Sequence, residues 1–120
     1  MTASGLFKVI VSFQDSHGNP LSEDGYKVRV YDQDPIHDDF LGESTLNDSG
    51  VAELLISVSD MFSLDSPADR TPDLYFVLYR NDKRVFRTDT INDVDFETSD
   101  PVTGRVKQLT RKFGPYPAPV

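Results

Sequence analysis

The stretch Phe7-Lys8-Val9-Ile10-Val11-Ser12-Phe13-Gln14 decides the fold class. Phe7, Val9, Val11 and Phe13 occupy alternate positions. Successive side chains of a strand point to opposite faces, so one face of this segment is uniformly large and apolar. The spacing predicts a half-buried strand. Downstream, Ser16-His17-Gly18-Asn19-Pro20 breaks it, since Gly and Pro interrupt a ladder and Asn tolerates turn geometry. Tyr26, Val28 and Val30 then resume the alternation against Lys27 and Arg29, giving a second strand.

The period of two continues outward from there. Phe40 to Leu46 predicts a third strand, and Asn47-Asp48-Ser49-Gly50 is a hairpin signal. Val51 to Val58 predicts a fourth strand, with Leu54 and Ile56 on one face and Glu53 and Ser57 on the other. Ser59 to Asp73 is a longer connection, with one helical turn expected around Asp60-Met61-Phe62. Leu74 to Tyr79 is almost continuously apolar and predicts a central strand. Asn81-Asp82-Lys83 marks a tight turn, and Arg84 to Ile91 the next strand, whose Arg84, Arg87 and Asp89 suit a protected edge. Asn92 to Asp100 is a polar loop with Phe96 turned inward. Val102 to Phe113 supplies the last strand. Gly114-Pro115-Tyr116-Pro117-Ala118-Pro119 predicts an extended tail, because proline cannot donate to a ladder. The expectation is one all-β domain over residues 1–113, a seven- to eight-stranded Greek-key β-sandwich, followed by a Pro-rich C-terminal tail over 114–120.

Composition narrows the function. The net charge is −8 over 120 residues. Residues 1–60 hold three basic and eleven acidic side chains, whereas residues 61–120 hold nine of each. The first half repels a nucleic-acid backbone or an anionic membrane. The basic run Arg105, Lys107, Arg111 and Lys112 reads as a solvated strand face, so no nucleic acid is expected as a partner. There is no cysteine, hence no disulfide or thiolate chemistry. That absence, with no apparent signal peptide, favours the cytoplasm. No apolar run reaches membrane-spanning length.

The order of several short motifs resembles the transthyretin-like, or prealbumin-like, superfamily, which includes carboxypeptidase regulatory-like modules. The residues that carry the resemblance begin with Val9-Ile10-Val11, Gly18-Asn19-Pro20-Leu21 and Val28-Arg29-Val30-Tyr31-Asp32-Gln33-Asp34. Asp39-Phe40-Leu41-Gly42-Glu43, Asn47-Asp48-Ser49-Gly50 and Pro72-Asp73-Leu74-Tyr75-Phe76-Val77 follow. The resemblance spans Phe7 to Ile91 and implies a sandwich whose members serve as spacers, adhesion modules, appended domains or small-ligand carriers. Fold alone does not choose among these. The hydroxyisourate hydrolases of this superfamily end in Tyr-Arg-Gly-Ser, whereas this chain ends in Tyr116-Pro117-Ala118-Pro119-Val120. The intradiol dioxygenases need two tyrosines and two histidines on iron, and the spacing of His17 and His37 does not match.

The acidic loop Asp32-Gln33-Asp34-Pro35-Ile36-His37-Asp38-Asp39 carries the one metal hypothesis. Clustered carboxylates repel one another, and calcium removes that cost by accepting hard oxygen ligands. The stretch is similar to a calcium loop of C2-like domains, which implies Asp32, Asp34 and Asp39 as ligands with Asp38 in support. Its spacing from Asp34 to Asp39 is one residue short of that pattern. The structural reading is that these side chains accept backbone N–H groups and fix the loop. His37 beside Asp38 has the makings of a base, but no nucleophile elbow or phosphate loop accompanies it, and no catalytic residue is assigned. Tyr75, Val77 and Tyr79 share one face of the central strand and are expected to pack between sheets; an outward aromatic face for carbohydrate or a partner is the alternative. The reading is a non-catalytic interaction or accessory module with a protein partner or self-association and no cofactor, the alternative being a calcium-binding domain.

Overall fold

The computed structural model describes residues 6–22, 24–57, 73–92, 94 and 110–119. These form an all-β sandwich of two sheets with seven strands among the described residues. The strands are β1 (Leu6–Gln14), β2 (Tyr26–Asp32), β3 (Asp39–Thr45), β4 (Val51–Ser57), β5 (Leu74–Arg80), β6 (Lys83–Arg87) and β7 (Thr110–Pro117). One sheet has the order β4-β1-β7, the other β3-β2-β5-β6.

The core is the set of inward positions that the alternation marks. Phe7, Val9, Val11 and Phe13 of β1 are fully buried, as are Val28 and Val30 of β2. Leu54 and Ile56 of β4 meet them together with Leu74, Phe76 and Leu78 of β5. Burying a side chain of this size stabilises the fold by about 1.5–3 kcal/mol relative to leaving it in water. β1 lies between β4, to which it is antiparallel, and β7, to which it is parallel.

Three local readings change in the structure. The Asn47–Gly50 turn does not close a hairpin. It is a corner, because β3 and β4 lie in different sheets. Asn47 Oδ1 accepts the N–H groups of Ser49 (2.8 Å) and Val51 (3.1 Å), which fixes the reversal. Gly50 then tucks under β1, where its carbonyl accepts the Phe13 N–H at 2.9 Å.

The strand expected over Arg84 to Ile91 ends at Arg87. The chain nevertheless keeps company with β5. Thr88 donates its N–H to the Phe76 carbonyl and accepts the Phe76 N–H on Oγ1, both at 3.0 Å. Ile91 bridges Leu74 through two backbone bonds. Among the described residues β6 is a sheet edge, as its charges suggested.

The third change is at the C-terminal end. Instead of leaving the sheet at Gly114, β7 runs on to Pro117. Proline is tolerated because β7, among the described residues, is an edge strand and pairs on one side only. The register slips between Val11 and Phe13, so one extra residue of β7 fits around a cis Gly114–Pro115 bond. Gly114 has φ +92°, and a Cβ there would meet the Ser12 carbonyl at 2.5 Å. Beyond the slip, Tyr116 packs on Phe13 at 5.9 Å and Phe76 at 6.2 Å. Residues 114–117 thus belong to the sandwich. The helical turn expected around Asp60 to Phe62, the inward Phe96 and the strand start at Val102 all lie outside the described residues.

Candidate interaction surface

Strand parity builds the surface. Tyr26, Val28, Val30 and Asp32 of β2 point inward, which sends Lys27, Arg29 and Tyr31 to the outer face of the larger sheet. Residues directly opposite across a ladder share a face. Tyr31 is opposite Phe40 of β3 on one side and Tyr75 of β5 on the other. Arg29 is likewise flanked by Glu43 and Val77, and Lys27 by Thr45 and Tyr79. Arg87 of β6 continues the row from Val77, and Arg84 the row from Tyr79.

Tyr75, Val77 and Tyr79 therefore do not pack between the sheets. They face out, and Leu74, Phe76 and Leu78 take the core positions. Tyr75 and Val77 are still only 7% and 4% exposed. Their cover includes neighbouring rings and guanidinium groups. The Tyr31 and Tyr75 rings stack at 5.2 Å with an interplanar angle of 14°. Phe40 meets Tyr31 edge-on at 5.8 Å and is itself 54% exposed. The Arg29 guanidinium lies 4.8 Å from the Tyr79 ring centre and 5.9 Å from that of Phe40. Arg87 sits 4.0 Å over the Tyr75 ring. These are attractive cation–π placements.

Hydrogen bonds lock the ladder at both ends. Glu43 Oε2 accepts from Arg29 Nε at 3.0 Å, with Lys27 Nζ 4.0 Å from its other oxygen. The hydroxyl of Tyr31 and then the carboxylate of Glu43 hold the Arg29 guanidinium more firmly protonated than usual. The Tyr75 hydroxyl donates to Asp38 Oδ2. Burial first, and then that bond, push the Tyr75 phenol up to about 12. The same bond, followed by the Asp34 N–H, draws the Asp38 carboxyl below its ordinary value.

The sequence-derived metal ligands are placed as follows. Asp32 is 2% exposed, and its Oδ1 accepts the Asp73 N–H at 3.1 Å. Asp34 Oδ1 accepts the Ile36 N–H at 3.2 Å, a local turn. Asp39 lies opposite Asp32 at the end of the β2–β3 ladder, with His37 Nε2 3.6 Å from its Oδ1. The fold brings Asp32 and Asp39 to neighbouring positions, while Asp34 lies in the loop, where its N–H donates to Asp38 Oδ1 at 3.1 Å. Among the described residues no group of three or more His, Asp or Glu side chains is placed to hold a metal ion.

The opposite end of the sandwich carries two adjoining open clefts. One, of about 460 Å³, is lined by Asp24, Tyr26, Lys27, Asp48, Asn81 and Asp82 among others. The second, of about 450 Å³, includes Asp15, His17, Tyr26 and Arg80. Asp15 is a turn staple, accepting the N–H groups of His17 and Asn19 at 2.9 Å.

The part played by Phe40 and Arg87 is absent from the sequence reading. The signal for it was the parity of β2. Once Lys27, Arg29 and Tyr31 face solvent, their ladder partners must too.

No family model matches the chain, and no curated protein matches it in sequence. Among solved structures, a 9R-lipoxygenase from Cyanothece PCC8801 is similar, with a TM-score of 0.56 and 16% sequence identity. The match covers 90% of this chain and 16% of that one. The chain therefore spans about a sixth of the length of that protein, and the likeness shows the sandwich fold alone.

Proposed function

We propose that the chain is a non-catalytic interaction module and that the outward face of β3-β2-β5-β6 is its binding surface. The observation that supports this reading is Phe40, half exposed beside Tyr31 and Arg29 on a face where strand parity had room for polar side chains. Aromatic residues and arginine are the types enriched at protein interfaces, and tyrosine and arginine anchor many of them. A kinship with the prealbumin-like modules and their Greek-key connection belongs to the same proposal. It draws on the order of motifs from Val9 to Val77, and members of that superfamily act as appended or adhesive domains.

A photo-crosslinking residue placed at position 40 tests the reading, with position 55 as the control. Leu55 is equally exposed but belongs to the other sheet. The expected result is a discrete adduct with a partner protein, or with a second copy, from position 40 alone. Equal adducts from both positions, or none from position 40, overturn the reading.

A further inference from the structure

We infer that the partner presented to this face is an acidic segment of a protein, an extended run of Asp and Glu with an apolar or aromatic side chain to meet Phe40. The inference rests on the reading of the face as the binding surface and adds the chemistry of what it takes. Charge complementarity carries it. The ladder registers put Lys27, Arg29, Arg84 and Arg87 on one surface. Glu43 is the carboxylate whose register falls among them, Asp38 lies at the rim, and Asp89 is exposed two positions beyond Arg87. Glu43 is already engaged by Arg29 and Lys27, and Asp38 by the Tyr75 hydroxyl. The face is thus net positive on a chain whose net charge is −8. Of the three basic residues in the first half of the chain, two stand here.

The same charge map selects a short acidic peptide over a long polyanion. Asp24, Asp48 and Asp82 line the cleft that Lys27 also borders. A nucleic-acid strand that tracked across the face would carry its phosphates onto those carboxylates. A segment of a few acidic residues can stay on the cationic rows. Opposite potentials of this kind speed encounter and fix register, and their effect weakens with salt.

The test is a selection of random dodecapeptides on the wild-type protein, on Phe40→Asp, and on the double variant Lys27→Glu with Arg84→Glu. Thermal melts first establish that each variant is folded. The expected outcome is enrichment of Asp- and Glu-rich peptides on the wild type and their loss on both variants. A synthetic peptide of the enriched type should bind the double variant roughly tenfold or more weakly, and lose affinity as salt rises. Neutral or basic peptides that depend on Phe40 would leave the face standing and overturn the acidic partner. Peptides indifferent to Phe40→Asp overturn both. A library with no enrichment overturns the acidic segment and leaves the crosslink at position 40 to judge the face. Equal binding of a single-stranded oligonucleotide replaces the peptide with a general polyanion and also overturns the inference.

Discussion

Gly50 is a residue at which the backbone allows little choice. Its φ is +71°, and an added Cβ would lie 2.7 Å from the Phe13 carbonyl oxygen and 2.8 Å from the Leu21 nitrogen. Both neighbours are backbone and cannot swing aside. Gly50→Ala is expected to cost about 2–3 kcal/mol, read as a drop in the urea midpoint at unchanged slope. Tyr75 makes a second prediction, through pH. Its folded pKa is raised to about 12, against about 10 for an unfolded tyrosine. The stability it contributes is therefore complete below pH 10 and is lost as pH climbs towards 12. Asp38 has the opposite sense: its carboxyl is drawn down, so its contribution is present above the ordinary carboxylate range and is lost as pH falls through the lowered value. Tyr75→Phe should flatten the stability profile at both ends, more on the alkaline side. A profile unchanged by the substitution would show that the pair does not contribute. At this scale the sequence was legible in parity. Asp32 continues the inward series Tyr26, Val28, Val30, so its burial could be read from position, whereas its N–H donor Asp73, 41 residues away, could not.

Turns show most clearly what a strand-by-strand reading can and cannot reach. Asn81 and Asp82 carry φ values of 51° and 67°, and Arg80 pairs with Lys83 across them. That is a two-residue hairpin whose geometry asks for positive φ twice, and Asn and Asp are the side-chain-bearing residues that tolerate it best. Asp82→Gly should relieve the second position and raise stability by about 0.5 kcal/mol, measurable as a small rise in the urea midpoint. A loss of stability there would mean that the Asp82 side chain contributes more than its backbone conformation costs. The turn after β3 carries an equally good local signal, yet it crosses between sheets. Turn chemistry fixes a reversal within four residues. It does not say which sheet the next strand joins, because that depends on where the apolar face of β4 finds the most cover. β7 was hidden for a related reason. Prolines forbid a central strand but permit an edge, and edge position is a property of the whole sheet order.

Across the whole molecule, the two-sheet sandwich was legible because nearly every core residue sits on a period of two. The outward face of the larger sheet was not, since β5 is apolar on both sides and alternation cannot say which side is inward. Only the ladder with β2 decides it. The parallel pairing of β1 with β7 was equally invisible, as the two strands are separated by almost the full chain. That pairing has a mechanical meaning. Parallel strands place Leu6 and Pro117 at opposite ends of the pair, so tension applied between them runs along the strand axes. The β1–β7 ladder is then sheared, and its rungs bear the load together. Tension applied between Leu6 and Ser57, which face each other across the antiparallel β1–β4 pair, peels one rung at a time. Single-molecule pulling should find a distinctly higher rupture force for the first attachment than for the second, and equal forces would show that β7 is not a load-bearing strap. A sandwich strapped in this way resists tension along its strands more than tension across them.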